Sequence, residues 1–199
     1  TAFTHGSRMS RALHSPWQCH VPRIDLSLTH WLTDPGSLTQ KLKNHCQHFS
    51  VQRINQLPSP LSLSETTPMQ LPRGRSVLQR QVVLICDGVP AVFAHTVTPM
   101  ERVSHDWPFF NQLGNRALGV ALFSNPLIRR NSFEYTRLRA QDALYQAAQS
   151  ALNGHGFEVT LPTHLWARRC LFTHTRHTNS RMMVTEVMLP SVYTLQLTP

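Results

Sequence analysis

The chain has 199 residues, 41% of them hydrophobic and only 15% charged, with a formal net charge of +9; it is long enough for one domain with a sizeable core. No apolar run approaches the ~20 residues of a membrane-spanning helix, so no membrane span is expected. The positive surplus is spread along the chain with no Lys/Arg-rich run, which argues against a nucleic-acid partner and is equally compatible with attraction of a small dianion.

The first eight residues, TAFTHGSR, read as an expression-tag remnant ahead of Met9, leaving 9–199 as a single domain. The stretch after Met9 lacks the apolar core of a signal peptide, which makes a cytoplasmic location the expectation. LSLTHW over 26–31 predicts a short helix ended by Asp34-Pro35-Gly36. Ser37 then suits the N-cap of a second helix, in which Leu38 and Leu42 recur at i, i+4 on an otherwise polar surface. FSVQRINQL over 49–57 alternates as a strand does, and the Pro-, Ser- and Thr-rich residues 58–72 read as a loop covering the sheet.

Residues 80–99, RQVVLICDGVPAVFAHTVTP, form the strongest local signal: two apolar runs about Asp87-Gly88. A type I′ turn needs positive φ at both central residues, and Asp-Gly supplies it at low cost. A regular two-residue hairpin would set Arg80 opposite His95 and put Arg80, Val82, Leu84, Ala91, Phe93 and His95 on one face. An arginine on an apolar face calls for an anionic partner, unless it snorkels to solvent at the sheet edge.

After this hairpin, 104–119 reads as turns and short helices ended by Leu118-Gly119, and 126–139 as an interrupted strand. Residues 140–152 switch to helical spacing, stopped by Asn153-Gly154, and look like surface architecture. The last third reads as a second long hairpin about HTNS or a near neighbour of it. There Glu186 shares a face with Met182, Val184 and Met188, and a four-residue loop would set it opposite Leu171, with Arg169 available as a salt-bridge partner. Cys19, Cys46, Cys86 and Cys170 form no CxxC pair and are expected as reduced thiols. His45-Cys46-x-His48 and His174-x-x-His177 sit among solvated or turn residues, so no metal site is expected.

Five motifs in order, SLTQKL, LQRQVVLICDGVPAVFAHTVTP, QLGNRALGVALF, LWARRC and VTEVMLP, resemble the chorismate lyase family over most of 28–190. The resemblance implies a single α+β domain, an antiparallel sheet flanked by helices, with a ligand enclosed beneath helical flaps and no cofactor or metal. It matches Arg80 to the family's ligand-contacting arginine, Glu186 to its glutamate and Leu118 to its leucine, while Leu38 stands where methionine is frequent. A second arginine expected on the downstream strand is His95 here, which leaves open how a second anionic group would be held. Residues 140–164 look like an insertion relative to shorter members.

The resemblance implies loss of pyruvate from chorismate to give 4-hydroxybenzoate, the first committed step towards ubiquinone. Arg80 would pair a carboxylate with its planar fork and Glu186 would meet the ring hydroxyl or move a proton, making these two the candidate catalytic residues. A monomer is favoured. The rival expectation is a non-catalytic effector-type domain of the same fold, although no helix-turn-helix precedes it in this sequence.

Overall fold

The computed structural model describes residues 16–195; the tag reading for 1–8 lies outside the described residues. Seven strands make one antiparallel sheet in the order β1-β2-β3-β7-β6-β4, with β5 also pairing with β6. They are β1 (Phe49–Pro60), β2 (Ser76–Cys86), β3 (Val89–Pro99), β4 (Ile128–Arg130), β5 (Glu134–Arg139), β6 (His164–His174) and β7 (His177–Met188). The helices are α1 (Leu26–Thr33), α2 (Leu38–Lys43), α3 (Leu63–Met69), α4 (Val103–Asp106), α5 (Leu118–Ser124) and α6 (Ala143–Gly154). This is the expected α+β architecture.

One sheet face buries Val82, Leu84, Ala94 and Met188 under α1 and α2, through Leu28, Trp31, Leu32, Leu38 and Leu42. The opposite face buries Val83, Phe93, Leu165, Ala167 and Val187 under α6, through Tyr145, Ala148, Ala151 and Leu152. Each such side chain contributes roughly 1.5–3 kcal/mol on full burial. The helix expected as mere surface architecture therefore closes the core of the second face.

The central turn forms as its residues dictate: Asp87 has φ 49° and Gly88 φ 80°. The Asp87 carboxylate also accepts from the backbone N–H of His48 at 2.7 Å, tying the turn to the start of β1. The regular register stops early, however. Ile85 pairs with Pro90 but Leu84 pairs with Val92, so Ala91 is an extra residue on β3. Pro90 has no N–H to give to the ladder, and the Ala91 carbonyl accepts instead from Leu189 N–H at 3.0 Å. The slip of one residue sets Arg80 opposite Thr96 and sends His95 to the other face, opposite Gln81.

The second hairpin is also re-registered. Its turn is Thr175-Arg176, immediately before HTNS, and a further irregularity lies between Thr173 and His174. Glu186 consequently faces Arg168, not Leu171, and Arg169 faces Thr185 with its side chain on the opposite face. Residues 58–72 are not a loop either. β1 runs on to Pro60 as an edge strand, where a missing N–H costs no ladder bond, and Ser62 and Glu65 form the capping box that starts α3. Leu118-Gly119 opens α5 where a stop was expected.

Candidate active site

On the face covered by α1 and α2 lies a pocket whose wall draws on α2, β2, β3, α5, β6 and β7. Leu38, Arg80, Leu118 and Glu186, the four residues singled out from the sequence, all line it.

Arg80 is 2% exposed, so it does not snorkel from a sheet edge. Its Nη1 donates to Gln56 Oε1 at 3.0 Å, and Nη2 donates to the carbonyls of Gly114 and Arg116 at 2.9 and 3.1 Å. Gly114 adopts φ 53°, which lets the chain fold back over the guanidinium. All these partners are neutral. Burial, with a smaller contribution from Arg53, pushes the Arg80 pKa down to about 10. The guanidinium is thus buried with no anionic partner among the described residues.

Two strands away stands Glu186. Arg168 Nε donates to Glu186 Oε2 at 2.6 Å, with side-chain exposures of 2% for the arginine and 17% for the glutamate. Arg168 Nη1 also donates to the carbonyls of Trp31, Leu32 and Asp34, at 3.3, 3.2 and 2.9 Å. Those carbonyls end α1 and have no partner within the helix. One arginine thus fixes the carboxylate against the helical cover, and Glu186 Oε1 makes no hydrogen bond to any described residue.

Leu38 and Leu118 are the first residues of α2 and α5. The two helices approach closely because Gly119 has no side chain: a Cβ there would lie 3.0 Å from Ser37 Oγ and 3.1 Å from Thr39 Oγ1. Ser37 Oγ is already engaged, accepting from Gln40 N–H at 3.3 Å as the cap of α2.

Arg130, Phe133 and Arg168 also line the pocket and escaped the sequence reading. The Phe133 ring lies between two guanidiniums, with Arg168 Cζ 4.3 Å and Arg130 Cζ 4.4 Å from its centroid. Among the lining residues three arginines face one glutamate, which leaves two positive charges in excess. The Cys170 thiol, also in the wall, is pushed up to about 12 by burial, with Glu186 adding to the shift. It stays protonated near neutrality and is no nucleophile.

His95 is absent from this pocket. Its Nε2 lies 2.9 Å from Glu65 Oε1 and its Nδ1 3.3 Å from Gln81 Nε2, in a separate cleft between α3 and α6. Arg169 lies on that side too, donating to Glu134 Oε2 at 2.7 Å, so it is not the partner of Glu186. Among the described residues no cluster of three or more His, Cys, Asp or Glu could hold a metal, and no helix is long and apolar enough to cross a membrane.

An antiparallel sheet with helices on both faces and a pocket of net positive lining under the helical cover defines a single α+β domain. The fold is shared with the effector domain of PhnF from Mycobacterium smegmatis, with a TM-score of 0.54 over 78% of this chain and 90% of that one, at 15% identity. The sequence relationship goes further. The family model for chorismate lyase matches residues 14–197. A "Probable chorismate pyruvate-lyase" of Cupriavidus metallidurans is 40% identical over 185 residues, covering 92% of this chain and 83% of its own. Another of that name, from Aromatoleum aromaticum, is 39% identical over 174 residues, covering 87% and 90%. The chain belongs to the chorismate lyase family.

Proposed function

We propose that this protein is a chorismate pyruvate-lyase that converts chorismate into 4-hydroxybenzoate and pyruvate, the step that commits chorismate towards ubiquinone. The observation that carries the reading is the pairing, within one pocket of a chorismate lyase family member, of an anion receptor at Arg80 with a carboxylate at Glu186. The two residues sit on β2 and β7 with only β3 between them, so their strands lie about 10 Å apart. That span suits a six-membered ring with a carboxylate at one end and a hydroxyl at the other.

Arg80 takes the ring carboxylate and Glu186 accepts a hydrogen bond from the ring hydroxyl. The ether bond to the enolpyruvyl group breaks as the carbon bearing the hydroxyl loses its hydrogen. The bond that breaks joins the ring carbon to the ether oxygen, and the hydrogen either goes to a base, the released enolpyruvate then taking a proton on its methylene carbon to become pyruvate, or passes directly to that carbon, while the ring gains its third double bond. Aromatisation drives the step and no electron acceptor is needed, so the protein's contribution is positioning and charge stabilisation. Leu38 and Leu118 supply the apolar contact over the ring, and their helices form the cover.

The test is incubation with chorismate, following 4-hydroxybenzoate by ultraviolet absorbance and pyruvate by a coupled assay, with and without EDTA. Turnover unaffected by EDTA is expected. The fold shared with the PhnF effector domain favours a second reading, a non-catalytic ligand-binding module. Tight binding of chorismate or 4-hydroxybenzoate without turnover would decide for it.

A further inference from the structure

Chorismate carries two carboxylates, and Arg80 and Glu186 account for only one of them and for the hydroxyl. The second carboxylate, on the enolpyruvyl group, is the part that the product lacks. His95 stands on the other sheet face, and its two ring nitrogens are engaged by Glu65 and Gln81. The charge of Arg168 is met by Glu186 at 2.6 Å.

Arg130 differs from both. It lies on β4 opposite Phe172 of β6, and it lines the pocket half-buried. Its Cζ is 4.4 Å from the Phe133 ring centroid and 5.6 Å from that of Phe123, and both rings line the same pocket. Its guanidinium makes neither a hydrogen bond nor an ion pair with any described residue. Both rings lie beside the guanidinium, and its five N–H donors meet no acceptor among the described residues. A partly desolvated cation immobilised in this way is matched by a carboxylate, which it can engage through two parallel hydrogen bonds.

The position fits as well. The ring axis runs from Arg80 on β2 to Glu186 on β7. The wall beyond β7 is built by Cys170 and Phe172 of β6 and then by Arg130 of β4. The ether oxygen is carried by the ring carbon next to the hydroxyl carbon, at the Glu186 end of the ring and so at the end of the pocket nearest β6 and β4. The two excess positive charges of the pocket equal the two negative charges of the substrate and exceed the single one of the product.

Resting on the proposed lyase activity, we infer that Arg130 binds the enolpyruvyl carboxylate and is the residue by which the pocket distinguishes substrate from product. Once the ether bond breaks, the group on Arg130 departs with pyruvate, while 4-hydroxybenzoate keeps its contacts to Arg80 and Glu186.

The experiment compares wild type with Arg130→Met, which keeps a flexible stem against Phe133, and with Arg130→Lys, which keeps the charge without the fork. Steady-state kcat and KM are measured with chorismate, the dissociation constant of 4-hydroxybenzoate by calorimetry, and folding by thermal denaturation. Arg130→Met is expected to lower kcat/KM for chorismate roughly 10- to 100-fold, chiefly through KM, with the affinity for 4-hydroxybenzoate unchanged. Arg130→Lys should recover part of the loss, and it reads the loss of the fork on its own should the methionine variant fail to fold. Wild-type KM in a folded variant, or a parallel loss of chorismate and 4-hydroxybenzoate affinity, overturns the role given to Arg130. Wild-type protein that neither binds nor turns over chorismate overturns the lyase reading beneath it, an outcome read before any variant is made.

Discussion

Arg168 and Glu186 stand directly opposite one another on β6 and β7, their side chains joined at 2.6 Å, while the same guanidinium gathers three carbonyls at the end of α1. The pair thus links the floor of the pocket to its cover. Removing one partner of a buried pair leaves the other charged and unmet, at a cost of about 3–5 kcal/mol. Arg168→Met should therefore lose both thermal stability and activity, more than Arg168→Lys does. Retention of wild-type stability by Arg168→Met would break the link between floor and cover.

Glu186 offers its second oxygen, Oε1, to a ligand. Glu186→Gln keeps shape and an acceptor oxygen but cannot take up a proton, whereas Glu186→Ala removes both. If positioning of the ring hydroxyl is its main work, the glutamine variant retains much of kcat and the alanine variant does not. If it carries the proton, both fall by roughly 10²-fold or more. The expectation is the first pattern, because aromatisation already drives the reaction. Both variants turning over at the wild-type rate, with folding intact, would place Glu186 outside the chemistry.

Arg80 and His95 test the corrected hairpin register. Arg80 faces the pocket and His95 the opposite cleft, so Arg80→Ala should cost ~2–5 kcal/mol in kcat/KM while folded His95→Ala keeps its kcat and KM. 4-Hydroxybenzoate at 100 times its dissociation constant should stabilise the wild type by about 2.7 kcal/mol, and Arg80→Ala at the same concentration by much less. Equal kinetic losses in the two variants would restore the regular register.

The Asp87-Gly88 turn was legible because its two residues tolerate positive φ, a property of the residues themselves. The bulge after Pro90 was not, because it depends on where the Ala91 carbonyl finds its donor, Leu189, almost a hundred residues later. The same holds for Arg168. Moving the second turn from HTNS to Thr175-Arg176, with the irregularity beside it, slips the pairing by an odd number of residues and exchanges Arg169 for Arg168 as the partner of Glu186. Nothing in Thr175-Arg176 announces a tight turn as Asp-Gly does. α3 was hidden by its Ser, Thr and Pro content, and it stands on a capping box and on burial of Met69. Arg80 and Glu186 stood out as charges on apolar strand faces, family resemblance added Leu38 and Leu118, and all four converge on one pocket. Arg130 and Phe133 carry no local signal, since their position follows from how β4 reaches β6.

Gly119 tests the cover from the other side. Replacing it with alanine puts a methyl group 3.0 Å from Ser37 Oγ and 3.1 Å from Thr39 Oγ1, so either the α2 cap rotates away or the two helices part. Loss of a serine cap costs about 1 kcal/mol. Gly119→Ala should lower the melting temperature modestly and raise KM for chorismate, since Leu38 and Leu118 at the two helix starts would shift. An unchanged KM beside a lowered melting temperature would separate the helix contact from the ligand contact.

Glu65 ties stability to pH on the face away from the pocket. It is 6% exposed, and burial alone would raise its pKa. Hydrogen bonding and charge from His95, with the Ser62 hydroxyl and backbone N–H, outweigh burial and hold it below the ordinary 4.5. A carboxyl group with a depressed folded-state pKa adds stability that is fully present above its unfolded-state value and is lost as pH falls through the folded-state value. Glu65→Gln should therefore be less stable than the wild type near neutrality, by about 1–3 kcal/mol for weakened bonds to buried groups. The gap should narrow as pH drops below the ordinary 4.5 and through the lower folded-state value, where the folded wild type takes up the proton. Urea denaturation of both proteins across a pH series measures it, and a gap that is as wide at pH ~3 as at neutrality would remove the carboxylate's charge from the account.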